Sequence, residues 1–273
     1  MAIQIDGIVL SNKRIKSSYY LLEIDCPLIA NETKPGQFVM LNTSEDNHPL
    51  LRRPFSIFKC YSNQHPMKLK RGHLLILYKK VGIGTNRMTT FKKGQKVNLI
   101  GPLGNGFTLP SSPSSPHVIL IGGGVGIASL YSLGEVLSSK PFSIFMGGKT
   151  VRDILCVEDF KKLNSPEIFI ATEDGSLGYR GTVVDLFLSQ KKKWNNNRKR
   201  YSIYACGPSG MLKALSMKIK SKKCVIQASL ESRMGCGIGA CWGCVIKTVN
   251  PTTPYQRVCK EGPIFTLEEI VWG

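Results

Sequence analysis

Four cysteines near the C-terminus constrain this chain more than any other feature. Cys236, Cys241, Cys244 and Cys259 follow the spacing C-x4-C-x2-C-x14-C, and the first three sit in a loop of small residues, Met234-Gly-Cys-Gly-Ile-Gly-Ala-Cys-Trp-Gly-Cys244. Four thiolates at one point hold a [2Fe–2S] cluster, and C-x4-C-x2-C…C is the spacing of plant-type ferredoxin loops. Glycines let such a loop take positive φ and bring its N–H groups close to the sulfides. A structural zinc site also takes four cysteines, but usually as two separate C-x2-C knuckles. Disulfides fit worse. Nine cysteines is an odd number, and Met1-Ala-Ile-Gln-Ile-Asp6 has neither the basic start nor the apolar core of a secretory signal. Cys26, Cys60, Cys156 and Cys224 lie in or beside apolar stretches and read as small core residues. The loop therefore predicts a one-electron carrier.

With 273 residues there is room for two domains and a small third. Segments 3–10, 19–24, 37–41, 55–60, 73–78 and 96–100 are rich in β-branched and aromatic residues, with turn signals such as Lys34-Pro-Gly36 and Lys93-Gly94 between them. Short strands at that spacing predict a small antiparallel barrel. Pro110-Ser-Ser-Pro-Ser-Ser-Pro116 reads as a linker. Beyond it the pattern alternates: strands over 118–121, 142–146, 168–171 and 201–205, helices over 127–137, 183–188 and 208–219. Such alternation gives a parallel sheet with helices on both faces. The last fifty residues hold the cysteine loop and little regular structure. The expected fold is α+β and multidomain: an antiparallel β-barrel over 1–110, an α/β parallel-sheet nucleotide domain over 117–222 and a cluster module over 223–273.

The formal net charge is +19, concentrated in Lys191-Lys-Lys-Trp-Asn-Asn-Asn-Arg-Lys-Arg200, which reads as an exposed lysine-rich loop. The bases are not interleaved with stacking aromatics and no nucleic-acid motif is present, so no nucleic-acid partner is expected. The uncharged apolar run 118–134 is short for a membrane span and is interrupted by glycines. A strand, a turn and a helix explain it better, and a cytoplasmic enzyme is expected.

Gly122-Gly-Gly-Val-Gly126 joins a predicted strand to a predicted helix. Gly122, Gly123, Gly124 and Gly126 would let a pyrophosphate reach the helix N-terminus, where free N–H groups and the dipole favour anions. The spacing departs from G-x-G-x-x-G, and the second strand leads to Lys149 rather than an acidic residue, so a nucleotide-binding domain of another lineage than the Rossmann fold is expected. Cys206-Gly-Pro208 follows a buried strand, where a thiol can touch a nicotinamide; a buried cysteine ahead of a helix with proline in its first turn reads almost as well. Arg52-Arg-Pro-Phe-Ser-Ile57, Leu77-Tyr-Lys-Lys-Val-Gly-Ile-Gly-Thr85 and Gly101-Pro-Leu-Gly-Asn-Gly-Phe107 add an anion-binding arginine, a hydroxyl and two glycine turns.

Together, Arg-Pro-x-Ser, Gly-x-Gly-Thr, Gly-Pro-Leu-Gly, Gly-Gly-Gly-x-Gly and Cys-Gly-Pro resemble the ferredoxin–NADP reductase superfamily. With Arg257-Val-Cys-Lys-Glu-Gly-Pro-Ile-Phe265 and Glu268-Glu-Ile-Val-Trp272, the cysteine loop resembles the electron-transfer subunit of type B dihydroorotate dehydrogenase. The resemblance implies FAD in the barrel, NAD in the second domain and a [2Fe–2S] cluster in the third. It assigns FAD to Arg53, Pro54, Phe55, Ser56, Leu77, Tyr78, Lys79, Gly84 and Thr85. It also implies a heterotetramer with an FMN-containing catalytic subunit, whose oxidation of dihydroorotate in pyrimidine biosynthesis supplies electrons for NAD+. Two relatives share the architecture, the ferredoxin-dependent NADPH oxidoreductase and sulfide dehydrogenase small subunits, but their first cluster ligand is typically aspartate; here it is Cys236. A zinc-stabilised interaction module on a decayed reductase fold is the non-enzymatic alternative. Lys149 and Arg152 leave NAD and NADP both open. Trp242 and Ile238, apolar in the loop, face either a partner or the cluster itself.

Overall fold

The computed structural model describes residues 2–44, 46, 48–61, 72–109, 117–138, 141–164, 166–190, 201–219 and 224–273. The Pro/Ser linker at 110–116 and the basic run at 191–200 lie outside the described residues. The chain forms two compact units. The first takes Met1–Gly106, Ser232–Val245 and Gln256–Pro263; the second takes Phe107–Glu231, Ile246–Tyr255 and Ile264–Gly273.

The first unit is a curled antiparallel sheet of seven strands: β1 (Ile3–Lys16), β2 (Tyr19–Asp25), β3 (Phe38–Leu41), β4 (Arg53–Ser56), β5 (Lys59–Tyr61), β6 (His73–Lys79) and β7 (Lys96–Leu103), with short helices α1 (Pro27–Ala30) and α2 (Ile83–Met88). The order is β4-β3-β7-β1-β2-β6-β5. Every second residue of neighbouring strands points inward, so Leu22 and Ile24, Val39 and Leu41, Leu74, Ile76 and Tyr78, and Val97 and Leu99 fill one core. The expected single strand over 55–60 is two strands at opposite edges of the sheet, separated only by Ile57 and Phe58. Both of these residues are buried. Adjacent residues of a flat strand face opposite ways, so two buried neighbours mark a corner. Ile57 donates its N–H to Gln37 on one side and Phe58 to Leu75 on the other, which brings the two edges of the sheet together.

In the second unit, β8 (His117–Gly123), β9 (Phe142–Gly148), β10 (Glu167–Thr172), β11 (Tyr179–Arg180), β12 (Tyr201–Cys206) and β13 (Cys224–Ser229) are parallel, and β16 (Ile264–Thr266) closes one edge antiparallel to β13. Helices α3 (Ile127–Leu137), α4 (Val157–Lys161), α5 (Val183–Gln190) and α6 (Ser209–Lys218) connect them. The order β11-β10-β9-β8-β12-β13-β16 reverses between β8 and β12. In open α/β sheets, ligands bind at the carboxyl ends of strands at that reversal. The segment after residue 222 is not as irregular as expected. Cys-Val-Ile-Gln-Ala-Ser is a fifth long parallel strand, hidden in the sequence because Val225 faces outward and Gln227 is only half-buried. A two-stranded sheet, β14 (Val245–Lys247) with β15 (Tyr255–Arg257), follows the cysteine loop. Among the described residues no helix is long and apolar enough to cross a membrane.

Candidate functional site

The four cysteines pair two and two. The Cys241 N–H donates to Cys236 Sγ at 3.4 Å, and the Cys259 N–H donates to Cys244 Sγ at 3.4 Å. Gly243 adds an N–H to Cys241 Sγ at 3.5 Å. Left-handed backbone at Gly237, Gly239 and Trp242 turns these N–H groups inward. At Gly237 glycine is obligatory on two counts: φ is +73°, and a Cβ would lie 2.3 Å from Met40 of β3. Burial pushes the Cys236 thiol up, but donors from Cys241, Ile238 and Ala240 outweigh it and bring the thiol down to about 6. Burial and the neighbouring Cys244 thiol push Cys259 up to about 12. The Cys236 charge also acts on Cys259, so the two pairs are neighbours. Two adjacent pairs of sulfurs with N–H donors suit two irons, each taking two thiolates.

The fourth cysteine is delivered by a strap fixed to the first unit. Asn105, in the Gly-Pro-Leu-Gly-Asn-Gly loop after β7, donates three times to the strap. Its N–H goes to the Gly262 carbonyl at 2.6 Å, and its amide goes to Glu261 at 2.8 Å and Lys260 at 3.3 Å. This glycine loop, which the sequence presents as a turn, is the dock for the Cys259 segment.

A second cluster of expected residues lies on the same unit. Arg53 opens β4, and a Cβ on Gly84 of α2 would lie 3.4 Å from its Cγ and 3.1 Å from Thr43 Oγ1. Thr43 is fully buried, and its hydroxyl has no hydrogen-bond partner among the described residues. Buried hydroxyls are rarely left so, and this one sits beside an arginine and a glycine. That set fits an oxygen-rich anionic group such as the FAD pyrophosphate. Sequence reasoning missed Thr43, for which a lone threonine after a strand gives no signal. Arg52 points elsewhere, donating to Asn98 at 2.6 Å. Pro54 and Ser56 are half-buried, while Phe55 packs edge-on against Tyr78 with ring centres 6.1 Å apart.

Two further expected residues have partners within the first unit. Tyr78 is buried in the core, stacked on Tyr20 at 5.4 Å, and its hydroxyl donates to Asn12 at 3.2 Å. Burial pushes that phenol up to about 12. Inward alternation along β6 sends its side chain into the core. The Thr85 hydroxyl accepts from Val81 and Gly82 N–H groups at 2.8 and 3.0 Å, which caps α2. These bonds shape the turn. Leu77 is buried, and the Lys79 ammonium lies 5.0 Å from the centre of the Tyr19 ring. β5 pairs with β6 only at His73, Leu74 and Leu75, so the backbone of 77–79 lies past that ladder.

At the reversal in the second unit, Gly122 of β8 pairs with Cys206 of β12. A Cβ on Gly126 would lie 2.6 Å from the Cys206 carbonyl oxygen, and one on Gly123 would lie 2.8 Å from Met211 Sδ. One on Gly122 would lie 2.4 Å from Ile127. These three glycines are needed for packing between the two strand ends. Gly124 differs: it has φ +54° and nothing within 4 Å, so it alone offers open backbone to a phosphate. Cys206 is buried, and desolvation followed by the Glu231 charge pushes its thiol up to about 12, against hydrogen bonds with Ser129 and Ser229. It is a neutral thiol, not a nucleophile. Burial also raises the Glu231 carboxyl. Ser229, the last residue of β13, and Glu231, two residues beyond it, escaped the sequence reading because that strand did. Beyond β9 the Arg152 N–H donates to Thr150 Oγ1 at 3.1 Å, and the Lys149 carbonyl accepts from the Asp174 N–H at 3.2 Å.

Curled sheet, reversed parallel sheet and cysteine loop together define a class, the ferredoxin–NADP reductase-like proteins that carry an iron–sulfur module. Ferredoxin–NADP+ reductase from Plasmodium falciparum shares the fold, with a TM-score of 0.64 and 18% identity over 82% of this chain and 96% of that one. The structure of an NADH-dependent reduced ferredoxin–NADP oxidoreductase, described for flavin-based electron bifurcation, matches more closely. Its TM-score is 0.82 at 27% identity, covering 97% of this chain and 90% of that one. Residues 231–271 match the iron–sulfur cluster binding domain of dihydroorotate dehydrogenase B, and residues 120–217 match the oxidoreductase NAD-binding domain. Curated relatives called dihydroorotate dehydrogenase B (NAD(+)), electron transfer subunit, are 38% identical in Desulforamulus reducens and 36% in Geobacillus thermodenitrificans. They cover 98% and 96% of this chain and the same shares of their own. The chain belongs to the family of dihydroorotate dehydrogenase B electron-transfer subunits.

Proposed function

We propose that this chain carries electrons from a dihydroorotate-oxidising, FMN-containing catalytic subunit through a [2Fe–2S] cluster and FAD to NAD+, in pyrimidine biosynthesis. One observation carries the reading: two adjacent cysteine pairs, N–H-bonded and docked on a flavin-type sheet, in a chain with full-length kinship to such subunits. FAD supplies the chemistry that side chains lack, since a flavin trades hydride with NAD and single electrons with an iron–sulfur cluster.

In this reading residues 1–110 are an FAD-binding β-barrel, 117–222 bind NAD and 223–273 form the cluster module. Cys236, Cys241, Cys244 and Cys259 ligate iron. Arg53 and Gly84 hold the FAD pyrophosphate, with Thr43 beside them, while Pro54, Phe55 and Ser56 and the backbone of Leu77, Tyr78 and Lys79 line the flavin; Thr85 fixes the turn. Gly124 receives the NAD pyrophosphate, and Gly122, Gly123 and Gly126 set the height of the loop. Cys206, kept neutral, borders the nicotinamide and excludes water. Ile238 and Trp242, both exposed, face the catalytic subunit in a heterotetramer; aromatic residues are enriched at such interfaces. The location is the cytoplasm.

Co-expression with the FMN subunit tests this. The two chains should elute together, and NADH should form when dihydroorotate and NAD+ are supplied. Separate elution, with NADH still oxidised through a soluble carrier, would make the chain a free-standing or ferredoxin-linked reductase instead. Cys236 argues against that second reading, which expects aspartate there.

A further inference from the structure

Arg257 lies two residues before the fourth cysteine, and its guanidinium is fully engaged. Nε donates to Glu261 Oε2 at 3.0 Å, one terminal nitrogen donates to Glu261 Oε1, and the other donates to the Gly239 carbonyl at 2.7 Å. The Arg257 backbone N–H also donates to Glu261 Oε2 at 2.7 Å. The Trp242 ring covers the remaining face, with its centre 4.5 Å from Cζ.

Gly239 lies between Cys236 and Cys241, and Trp242 lies between Cys241 and Cys244. One side chain on the strap therefore grips both spans of the ligand loop. Those are two of the positions where the loop takes left-handed backbone, φ +86° at Gly239 and φ +57° at Trp242. A bulky residue at such φ persists only when its surroundings hold it there. The Arg257 side chain is 17% exposed. Its charge acts on the Cys259 and Cys244 thiols.

We propose that Arg257 is the positioning residue of the cluster site. It holds the arc 239–242 at the spacing the irons need, and its fixed charge raises the reduction potential of the cluster, with Glu261 offsetting part of that charge. The inference rests on the cluster assignment. Reduction adds one electron, hence one negative charge, to the group between the four sulfurs. A cation nearby stabilises the reduced form more than the oxidised one, and a carboxylate does the reverse.

The test uses the full chain with its cofactors and compares Arg257→Gln, Arg257→Lys and Glu261→Gln. Iron is assayed, and the electron paramagnetic resonance signal is followed in a dithionite titration with mediator dyes. Arg257→Gln leaves Glu261 unopposed, so at a fixed ambient potential the reduced-to-oxidised ratio should fall about tenfold, or about 59 mV for one electron. Glu261→Gln should move the ratio the opposite way. Arg257→Lys keeps the charge but not the fork, so the ratio should stay near wild type while the signal broadens. A role in stability alone would move both glutamine variants in the same direction or only lower iron content, and either result overturns the proposal, as would an unchanged ratio in Arg257→Gln. If Arg257→Gln does not accumulate, the opposite shift in Glu261→Gln still decides the electrostatic claim. A wild-type chain with no iron signal would instead sink the cluster assignment beneath it.

Discussion

Replacing Gly126 with alanine adds one methyl where the glycine loop meets the end of β12. The added carbon would lie 2.6 Å from the Cys206 carbonyl oxygen, 2.7 Å from its carbon and 2.8 Å from Gly207 Cα. Comfortable carbon contacts are about 3.5–4.0 Å. All three neighbours are backbone, and Cys206 is paired with Gly122 on one side and Ser229 on the other, so relief means shifting a strand end. Overpacking of this kind costs about 1–3 kcal/mol. Against it, Gly126 already has helical angles, φ −59° and ψ −23°, so alanine brings no backbone strain. It should recover up to about 1 kcal/mol of helix propensity and unfolded-chain entropy. The clash wins, by about 1–2 kcal/mol. Gly210, near the start of α6 with nothing within 4 Å of its missing Cβ, is the matched control. Alanine there should be neutral or stabilise by up to about 1 kcal/mol. Scanning calorimetry reads both, since 1 kcal/mol moves the transition by about 2–4 °C in chains of this size. Gly126→Ala should melt a few degrees lower and bind NADH more weakly, while Gly210→Ala should not melt lower. A Gly126→Ala transition unmoved or raised would refute the packing account of the loop.

Purified protein should hold about two irons per chain, and Cys259→Ala should lose them, because no neutral side chain replaces a thiolate on iron; full iron content in that variant would remove Cys259 from the ligand set. Arg53→Ala should weaken FAD binding by about 1.5–3 kcal/mol, the scale of a charged hydrogen bond, measured by fluorescence titration. Tyr78→Phe removes only the bond to Asn12, so it should lower stability by about 0.5–1.5 kcal/mol and leave flavin affinity untouched; weakened flavin binding there would restore a ligand role to the hydroxyl. With its thiol pushed up to about 12, Cys206 should resist iodoacetamide at pH 8 in the folded protein and react once unfolded, as peptide mass spectrometry would report.

Local signals were legible where local physics decides. Helix α3 spans the residues that helical spacing and its glycine start predict, and the cysteine spacing led directly to the two sulfur pairs. Legibility fails where one residue's role depends on a distant partner. Phe55 to Cys60 reads as one strand because nothing nearby reveals that Ile57 and Phe58 turn a corner between opposite edges. Tyr78 and Thr85 stand in the right motif, but register sends one ring to Tyr20 and capping takes the other hydroxyl. Strand β13 was missed because an outward Val225 and a half-buried Gln227 blur its pattern. Arg257 looks like any surface base until the fold brings Gly239, Trp242 and Glu261 around it.

The division of the chain also orders its birth. It leaves the first unit at Gly106, returns for Ser232–Val245, leaves again, and returns for Gln256–Pro263 before Ile264–Gly273 completes the second. A ribosome delivers Cys259 and β16 after the other strands of both large sheets, so the early strands wait for the strap that Asn105 holds, and the parallel sheet waits for its antiparallel edge. N-terminal domains commonly finish folding while the rest is still being made. Here each unit needs segments made after strands of the other, so iron loading waits for Cys259, and a nascent chain stalled short of the strap leaves both units incomplete and open to proteolysis.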